Sequence, residues 1–427
     1  MKSNLLSTKR GRLFTFSLLY LSEGIPFGFS AIALTTHLRL SGMGLTDIGI
    51  FIASLYMPWG FKWAWAPLVD LVKFKRFGTS RTWIAGAQIL MILTLGVLVF
   101  FDLTESLGLL ITLIVIHNIF AATQDVAIDA LAIRVLPHHE RGIANGFMFG
   151  SSYLGQTIGG SGALMVSGLF GFKAAFPFVL IALLFILVFV TLRIKAPEDI
   201  EEQNVIVEHD TVFNQIKNQL TTFFKELYMG FFKSGRGPVI GVGFALLPSG
   251  ALALGLGLGS TLQVDIGMTE QQIATFTFFG TIIAAAGCIL GGWISDRVGH
   301  RKALSVWYVL TVIPSLFLAS KFLGSEGTAG ITLMIFIIAS LSYSFTSGLI
   351  QGTRTALFMG LTNPRVAATQ FTGYMALSNL VYSYSSLWQG RLADTSGYAN
   401  TMYLDCAIVL IPLVVIPFLM PSIRGND

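Results

Sequence analysis

Long apolar runs alternate with short polar punctuation along the whole chain. Twelve runs reach helical length, near 13–36, 47–69, 82–101, 107–133, 143–168, 172–194, 238–263, 270–294, 303–323, 329–354, 366–389 and 399–420. A helix of roughly 20 apolar residues crosses a bilayer. The longest polar stretch, 195–236, opens "KAPEDIEEQNVIVEHD" and separates six runs from six. Its second part, "TVFNQIKNQLTTFFKELYMGFF", sets Val212, Phe213, Ile216, Leu220, Phe223, Phe224 and Leu227 at helical spacing. That pattern predicts an amphipathic helix on the inner membrane surface rather than a disordered linker. The expected organisation is an N-terminal six-helix half over 1–194, a cytoplasmic central loop with this helix over 195–236, and a C-terminal six-helix half over 237–427. The fold class is therefore expected to be an all-α integral membrane protein with twelve transmembrane helices in two six-helix halves.

Composition agrees with a membrane protein. Hydrophobic residues make up 54% and charged residues 11%, and mean hydropathy is +0.73, where soluble domains carry about 25% charged residues. The net charge of +5 does not indicate nucleic acid, because its placement is topological. With the N-terminus in the cytoplasm, all but five of the 27 Lys and Arg lie in cytoplasmic segments or helix ends. The exceptions are Arg39, Lys173, Lys321 and Arg391 on the outer side and Lys62 inside the second run. This asymmetry predicts cytoplasmic termini and anionic lipid headgroups as neighbours. The first run is too long for a cleaved signal peptide. Cys288 and Cys406 lie in separate apolar runs and form neither metal-ligand spacing nor a disulfide framework. The chain has no Gly-Lys-Ser/Thr phosphate loop and no His-Glu-x-x-His motif, so neither an ATP motor, a cofactor nor a metal site is expected.

The halves repeat. "LSEGI" (21–25) matches "LPSGA" (247–251) and "APLVD" (66–70) matches "GWISD" (292–296), both at an offset of 226 residues. "DALAIRVLPHHERGIANGFM" from 129 matches "TALFMGLTNPRVAATQFTGYM" from 355 at the same offset, with one insertion. Ordered matches at nearly one offset indicate a duplicated six-helix unit, the plan of parallel-repeat transporters.

Charges inside apolar runs mark the candidate chemistry. In "AATQDVAIDALAIR" Asp125 and Asp129 stand four residues apart, on one helix face. Each costs roughly 2.5–3.5 kcal/mol at a bilayer centre. Counted back from Arg134, Asp129 is about 7.5 Å and Asp125 about 13.5 Å inside, at 1.5 Å per residue. Such acids face water or a basic partner, and suit a proton-carrying role; the rival reading is a structural ion pair near the cytoplasmic gate. Glu23, beside Gly24 and Pro26, is a further coupling candidate at an expected helix distortion. Lys62 lies about 12 Å above Asp70, too deep to snorkel easily. It is expected to pair with Asp125 or Glu23, or to contact an anionic substrate. Gln124 and Gln351 are candidate hydrogen-bonding ligands. Arg354, at the repeat position of Ile128, is read equally as gate partner of Asp129 and as substrate ligand. His117 and the polar face of Tyr374, Asn379, Tyr382 and Tyr384 read as helix–helix contacts.

The loop "GGWISDRVGHRKAL" (291–304) places Asp296 at a helix end followed by Arg297, Arg301 and Lys302. An acid there can cap the N-terminus of a helix from the other half and hold the inner side shut. Asp70 is its counterpart in the first half, and Arg141 sits in the segment that Asp296 would approach. This loop resembles the signature of the major facilitator superfamily. The runs Trp65-Ala66-Pro67-Leu68-Val69-Asp70 and Gln124-Asp125 with Asp129 resemble one branch of it, the bacterial muropeptide permeases of the AmpG type and the acetyl-coenzyme A transporters. The resemblance covers most of the first half and, in the second, mainly the gate loop. It implies a proton-coupled secondary transporter working by alternating access as a monomer. Its expected activity is import of a muropeptide-like sugar-peptide across the inner membrane, with protons, a small-molecule substrate and lipid as partners. The rivals are an exporter of a siderophore or other amphipathic metabolite and, from a different class, a membrane-embedded acyltransferase, which would not need a duplicated unit.

Overall fold

The computed structural model describes residues 5–72, 74, 77–101, 107–137, 140–195, 212–322, 328, 330–363 and 367–420. Among them every regular element is helical. In the first part these are α1 (Lys9–Gly28), α2 (Thr35–Leu40), α3 (Leu45–Phe61), α4 (Ala66–Leu71), α5 (Thr79–Leu98), α6 (Leu107–Val135), α7 (Arg141–Thr157), α8 (Ala163–Phe170) and α9 (Ala175–Phe189). Then follow α10 (Val212–Phe232), α11 (Arg236–Ala245), α12 (Gly257–Asp265), α13 (Glu270–Val298), α14 (His300–Phe322), α15 (Leu333–Leu361), α16 (Ala367–Ile408) and α17 (Ile411–Val415). Eight helical stretches among the described residues are long and apolar enough to cross a bilayer. They present Ile181, Leu184, Phe185, Ile289 and Ile313 outward, a surface that water does not tolerate and lipid does.

Several predicted runs are interrupted, each for an identifiable reason. Pro26 lacks an N–H, and the expected distortion appears just beyond it, as a π-helical stretch over Phe29–Leu34 that leads into α2. α3 contains Pro58 and ends in a 3-10 turn over Lys62–Ala64 before α4. A second π-helical stretch, Ile158–Gly162, joins α7 to α8. The run predicted as one helix over 238–263 is broken between α11 and α12, where Pro248 and Gly250, at φ 121°, cannot continue a helix. Conversely, the last two predicted runs join in α16, where the chain turns only at Gly397, at φ 81°.

The chain divides into two compact units. One holds Met1–Leu34 and Phe61–Leu220, the other Thr35–Gly60 and Thr221–Asp427. In the first unit α1 packs on α7 through glycines. A Cβ at Gly24 or Gly28 would run into Ser152 or Gln156, and one at Gly155 or Gly159 into Leu21 or Ile25. Small residues at this spacing allow backbones to touch. The second unit repeats the device between α13 and α15, where Gly287 and Gly291 meet Phe345 and Leu349, and Gly348 and Gly352 meet Ala284 and Cys288.

Candidate functional site

The site of the first unit is built on α1, the 3-10 turn after α3, and α6. The break at Lys62–Ala64 releases Lys62 from a regular helix and lets its ammonium reach α6. There Lys62 Nζ donates to Asp125 Oδ2 in an ion pair. One turn further along α6, Asp129 Oδ1 accepts a 2.5 Å hydrogen bond from the Tyr20 hydroxyl on α1. Glu23, one turn beyond Tyr20, is 5% exposed, and its Oε1 is buried without a hydrogen-bond partner. It lies in electrostatic range of Asp125, Asp129 and Lys62. The Trp65 indole N–H donates to Thr123 Oγ1 at 3.1 Å and so ties the turn to α6. Below the charges, Phe16, Leu19, Val69, Ile128 and Leu131 form an apolar floor.

Chemically this is one ammonium against three carboxyls and a phenol in a low-dielectric interior. The excess of acid over base is what such an interior penalises. The cluster can therefore take up or release a proton, and with it change its attraction for Lys62, without repacking its helices.

The structure thus brings Lys62, Asp125, Asp129 and Glu23 together within one unit. Gln124 is close by but engaged, its Nε2 donating to Ser22 Oγ at 3.1 Å. Gln351 is half-buried on α15 in the second unit. Arg354, in the second unit, is bonded to backbone carbonyls. It is 3% exposed, and its Nη2 donates to the carbonyls of Phe244, Ala245 and Leu247 at 3.2–3.3 Å. Its guanidinium lies over the rings of Phe244 and Phe358. The reason is the break after α11, which leaves terminal carbonyls without helical donors.

The residues expected at the inner gate have contacts of their own. Asp296, with 71% of its side chain exposed, faces His300 Nε2 at 3.2 Å. Arg297 stacks over Trp293, and Arg301 donates to the Pro417 carbonyl at 3.0 Å. Glu140 is held by Arg12 in a bidentate pair, with Nε to Oε2 at 3.0 Å and Nη2 to Oε1 at 2.8 Å. The side chains of Asp70 and Arg141 lie outside the described residues.

A second charged arrangement lies wholly in the other unit, at the end of α2 away from the N-terminus. Arg39 binds Asp265 at the end of α12 through two hydrogen bonds, Nε at 2.7 Å and Nη2 at 2.5 Å. The Tyr398 hydroxyl donates to the same Asp265. Asp394 accepts from the backbone N–H groups of Leu45 at 2.9 Å and Thr46 at 2.6 Å, at the start of α3. Along the same contact Gly49 of α3 touches Gly390 of α16. Tyr20, Asp265, Asp394 and Tyr398 were not picked out from the sequence. A signal existed for one of them, because Arg39 and Asp265 stand 226 residues apart, the repeat offset itself. Asp394→Ala is expected to cost about 0.5–2 kcal/mol, as losing an N-cap does. An unchanged thermal melt would show that this cap does not hold α3.

Apolar helices enclosing paired charges define the class, a multi-pass membrane transport protein. The model of the Major Facilitator Superfamily matches residues 13–385. The chain belongs to the Major Facilitator Superfamily. A Rickettsia conorii protein assigned to the AmpG transporters (AmpG 4) is 24% identical over 425 residues, covering 97% of each chain. The anhydromuropeptide permease of Escherichia coli K12 is 24% identical over 410 residues, covering 92% of this chain and 77% of the permease. Among solved structures, a D-xylose–proton symporter superposes with a TM-score of 0.73 at 14% identity, covering 97% of this chain and 99% of the symporter. That last likeness shows the fold. Relatives and structural neighbours are transporters, and a small-molecule substrate follows from the family.

Proposed function

We propose that this protein is a proton-coupled secondary transporter that imports a muropeptide-like sugar-peptide across the inner membrane by alternating access. The observation that carries the reading is the Lys62–Asp125 ion pair, with Glu23 and the Tyr20-bound Asp129 beside it. A substrate's anionic group competes with Asp125 for Lys62, and a proton on Asp125 releases Lys62 to meet it. Binding of one therefore favours binding of the other, which is the linkage a symporter needs. Gln124 and Gln351 would supply hydrogen bonds to sugar or peptide. The relatives' names support the substrate class.

Twelve crossings follow if the interrupted helices α3–α4, α7–α8 and α11–α12 each span once and α16–α17 spans twice around Gly397. Both termini then lie in the cytoplasm, α10 lies on the inner surface, and the halves are those of the sequence repeat. Asp70, Arg141, Asp296, Arg297 and Arg301 form the inner gate in this reading. Arg39, Asp265, Asp394 and Tyr398 form the outer closure, which is engaged.

The test is uptake into proteoliposomes. The native protein should accumulate an anhydromuropeptide against its gradient when the outside is acidic. Asp125→Asn should abolish accumulation while leaving counterflow exchange partly intact. Full proton-driven accumulation by the variant would sink the assignment of Asp125. No accumulation by the native protein in either gradient direction would sink the proton coupling itself.

A further inference from the structure

Among its described residues the second unit holds one buried acid that the proposed coupling site does not use. Asp405, on the last part of α16, is 1% exposed. Its Oδ1 accepts from Gln389 Nε2 at 2.9 Å, and its Oδ2 accepts from the backbone N–H of Ala253 at 3.0 Å. Both donors are neutral. Among the described residues the titratable groups in electrostatic range are Cys406 on its own helix and Tyr343 on α15, and neither supplies a cation. The Cys406 thiol donates to the Val312 carbonyl on α14, and the turn Leu252–Leu254 presents only backbone and apolar groups. A carboxylate with no cation to balance it is a costly thing to keep inside a bilayer.

We propose that Asp405 is a proton-binding site, wired to the closure made by Arg39 and Asp265. Three observations connect them. First, the Ala253 N–H is available because the α-helix stops at Ala245 and Ala253 lies in the first turn of a 3-10 helix, Leu252–Leu254, so Asp405 pins the turn that leads into α12. α12 ends at Asp265, which holds Arg39. Second, Gln389 precedes Gly390, whose backbone touches Gly49 of α3. Gln389 also lines a cavity of about 10 Å³ with Leu45, Ile48, Gly49 and Gly257. That is the size of a single water site beside the Gln389 amide. Third, Gln389 Oε1 is buried without a hydrogen-bond partner. An amide turned half-way round offers this oxygen to a protonated Asp405 and takes the hydroxyl hydrogen in place of giving its own.

The step is simple. A proton adds to one carboxylate oxygen of Asp405, and Gln389 inverts to accept it. The Ala253 bond changes from charge-assisted to neutral, about half as strong. The turn before α12 is then held less firmly, and Asp265 is freed to leave Arg39. This site is separate from the Lys62–Asp125 pair, and its test requires no transport.

The experiment uses the full chain in lipid nanodiscs. Infrared difference spectra between acidic and alkaline buffer should show the carbonyl band of a buried carboxylic acid that disappears in Asp405→Asn and persists in Asp125→Asn. Identical spectra for the native protein and Asp405→Asn would overturn the proposal. Spin labels on Ser41→Cys and Ser396→Cys, with Cys288→Ala and Cys406→Ala, report the closure. The distance should lengthen on acidification in the native background and stay at its acidic value at every pH in Asp405→Asn. A variant that keeps the native pH dependence would overturn the wiring to the closure. Should Asp405→Asn not fold, Gln389→Leu removes one donor to the carboxylate. Gln389 bonds the carboxylate with charge assistance and the acid without it, so the infrared midpoint should then move toward alkaline pH by about half a unit to one unit, the difference between those two bonds. An unmoved midpoint counts against the site.

Discussion

Lys62→Ala is expected to destabilise the protein more than the double change Lys62→Ala with Asp125→Asn. The ammonium and the carboxylate are paired with only 17% and 8% of their side chains exposed. Removing the lysine strands an acid that already has two others near it, Glu23 and Asp129. Breaking a buried pair from one side costs about 3–5 kcal/mol, because the remaining charge is left without its partner. Asp125→Asn relieves that excess, so the double variant should recover much of the loss. Thermal unfolding in detergent, run as a double-mutant cycle, measures the coupling directly. Additive shifts would mean that the pair contributes nothing as a pair. The same cycle with Glu23→Gln asks how far the third acid shares Lys62. A large coupling to Asp125 and a small one to Glu23 is the expected result, since the structure gives Lys62 a direct bond to Asp125.

Arg354→Leu is the second change with a large expected effect, and it separates two roles. Nη2 of Arg354 serves three carbonyls at the broken end of α11, and the guanidinium fills the space between Phe244 and Phe358. A buried carbonyl left without a donor costs about 1–3 kcal/mol, so the variant should melt well below the native protein and accumulate poorly. Arg354→Lys should recover only part of the loss, because a single ammonium cannot present a planar fork to several acceptors. If Arg354→Leu melted like the native protein and lost only substrate binding, the capping role would be refuted in favour of the substrate role.

The apolar runs made the helical membrane class readable without coordinates, because a bilayer forces twenty-odd apolar residues and internally satisfied backbone on any crossing. The depth of Lys62 likewise made a partner necessary, and the acids at its depth were few enough to name. Arg354 was not readable in this way. Whether a buried arginine caps carbonyls or binds substrate depends on where a neighbouring helix breaks, and the break after Ala245 was hidden inside a run that reads as one continuous apolar segment. Asp405 was overlooked for a related reason. An isolated acid near the end of an apolar run looks like a helix end near water, and only the packing of α16 against the turn at Ala253 shows that it is enclosed.

Sequence by itself determined the membrane class, the internal repeat and the charged residues inside the apolar runs. These follow from composition and spacing, which the solvent and the helix period read directly. The tertiary structure alone decided which of those residues meet. It set Lys62 on Asp125, gave Tyr20 to Asp129, and left one oxygen of Glu23 without a partner. It also joined Arg39 to Asp265 and Asp394 to the start of α3. Such pairings depend on helix rotation, on the π-helical and 3-10 interruptions, and on glycines that let two backbones touch. A shift of one residue in any of these turns a helix by about 100° and hands each charge a different neighbour.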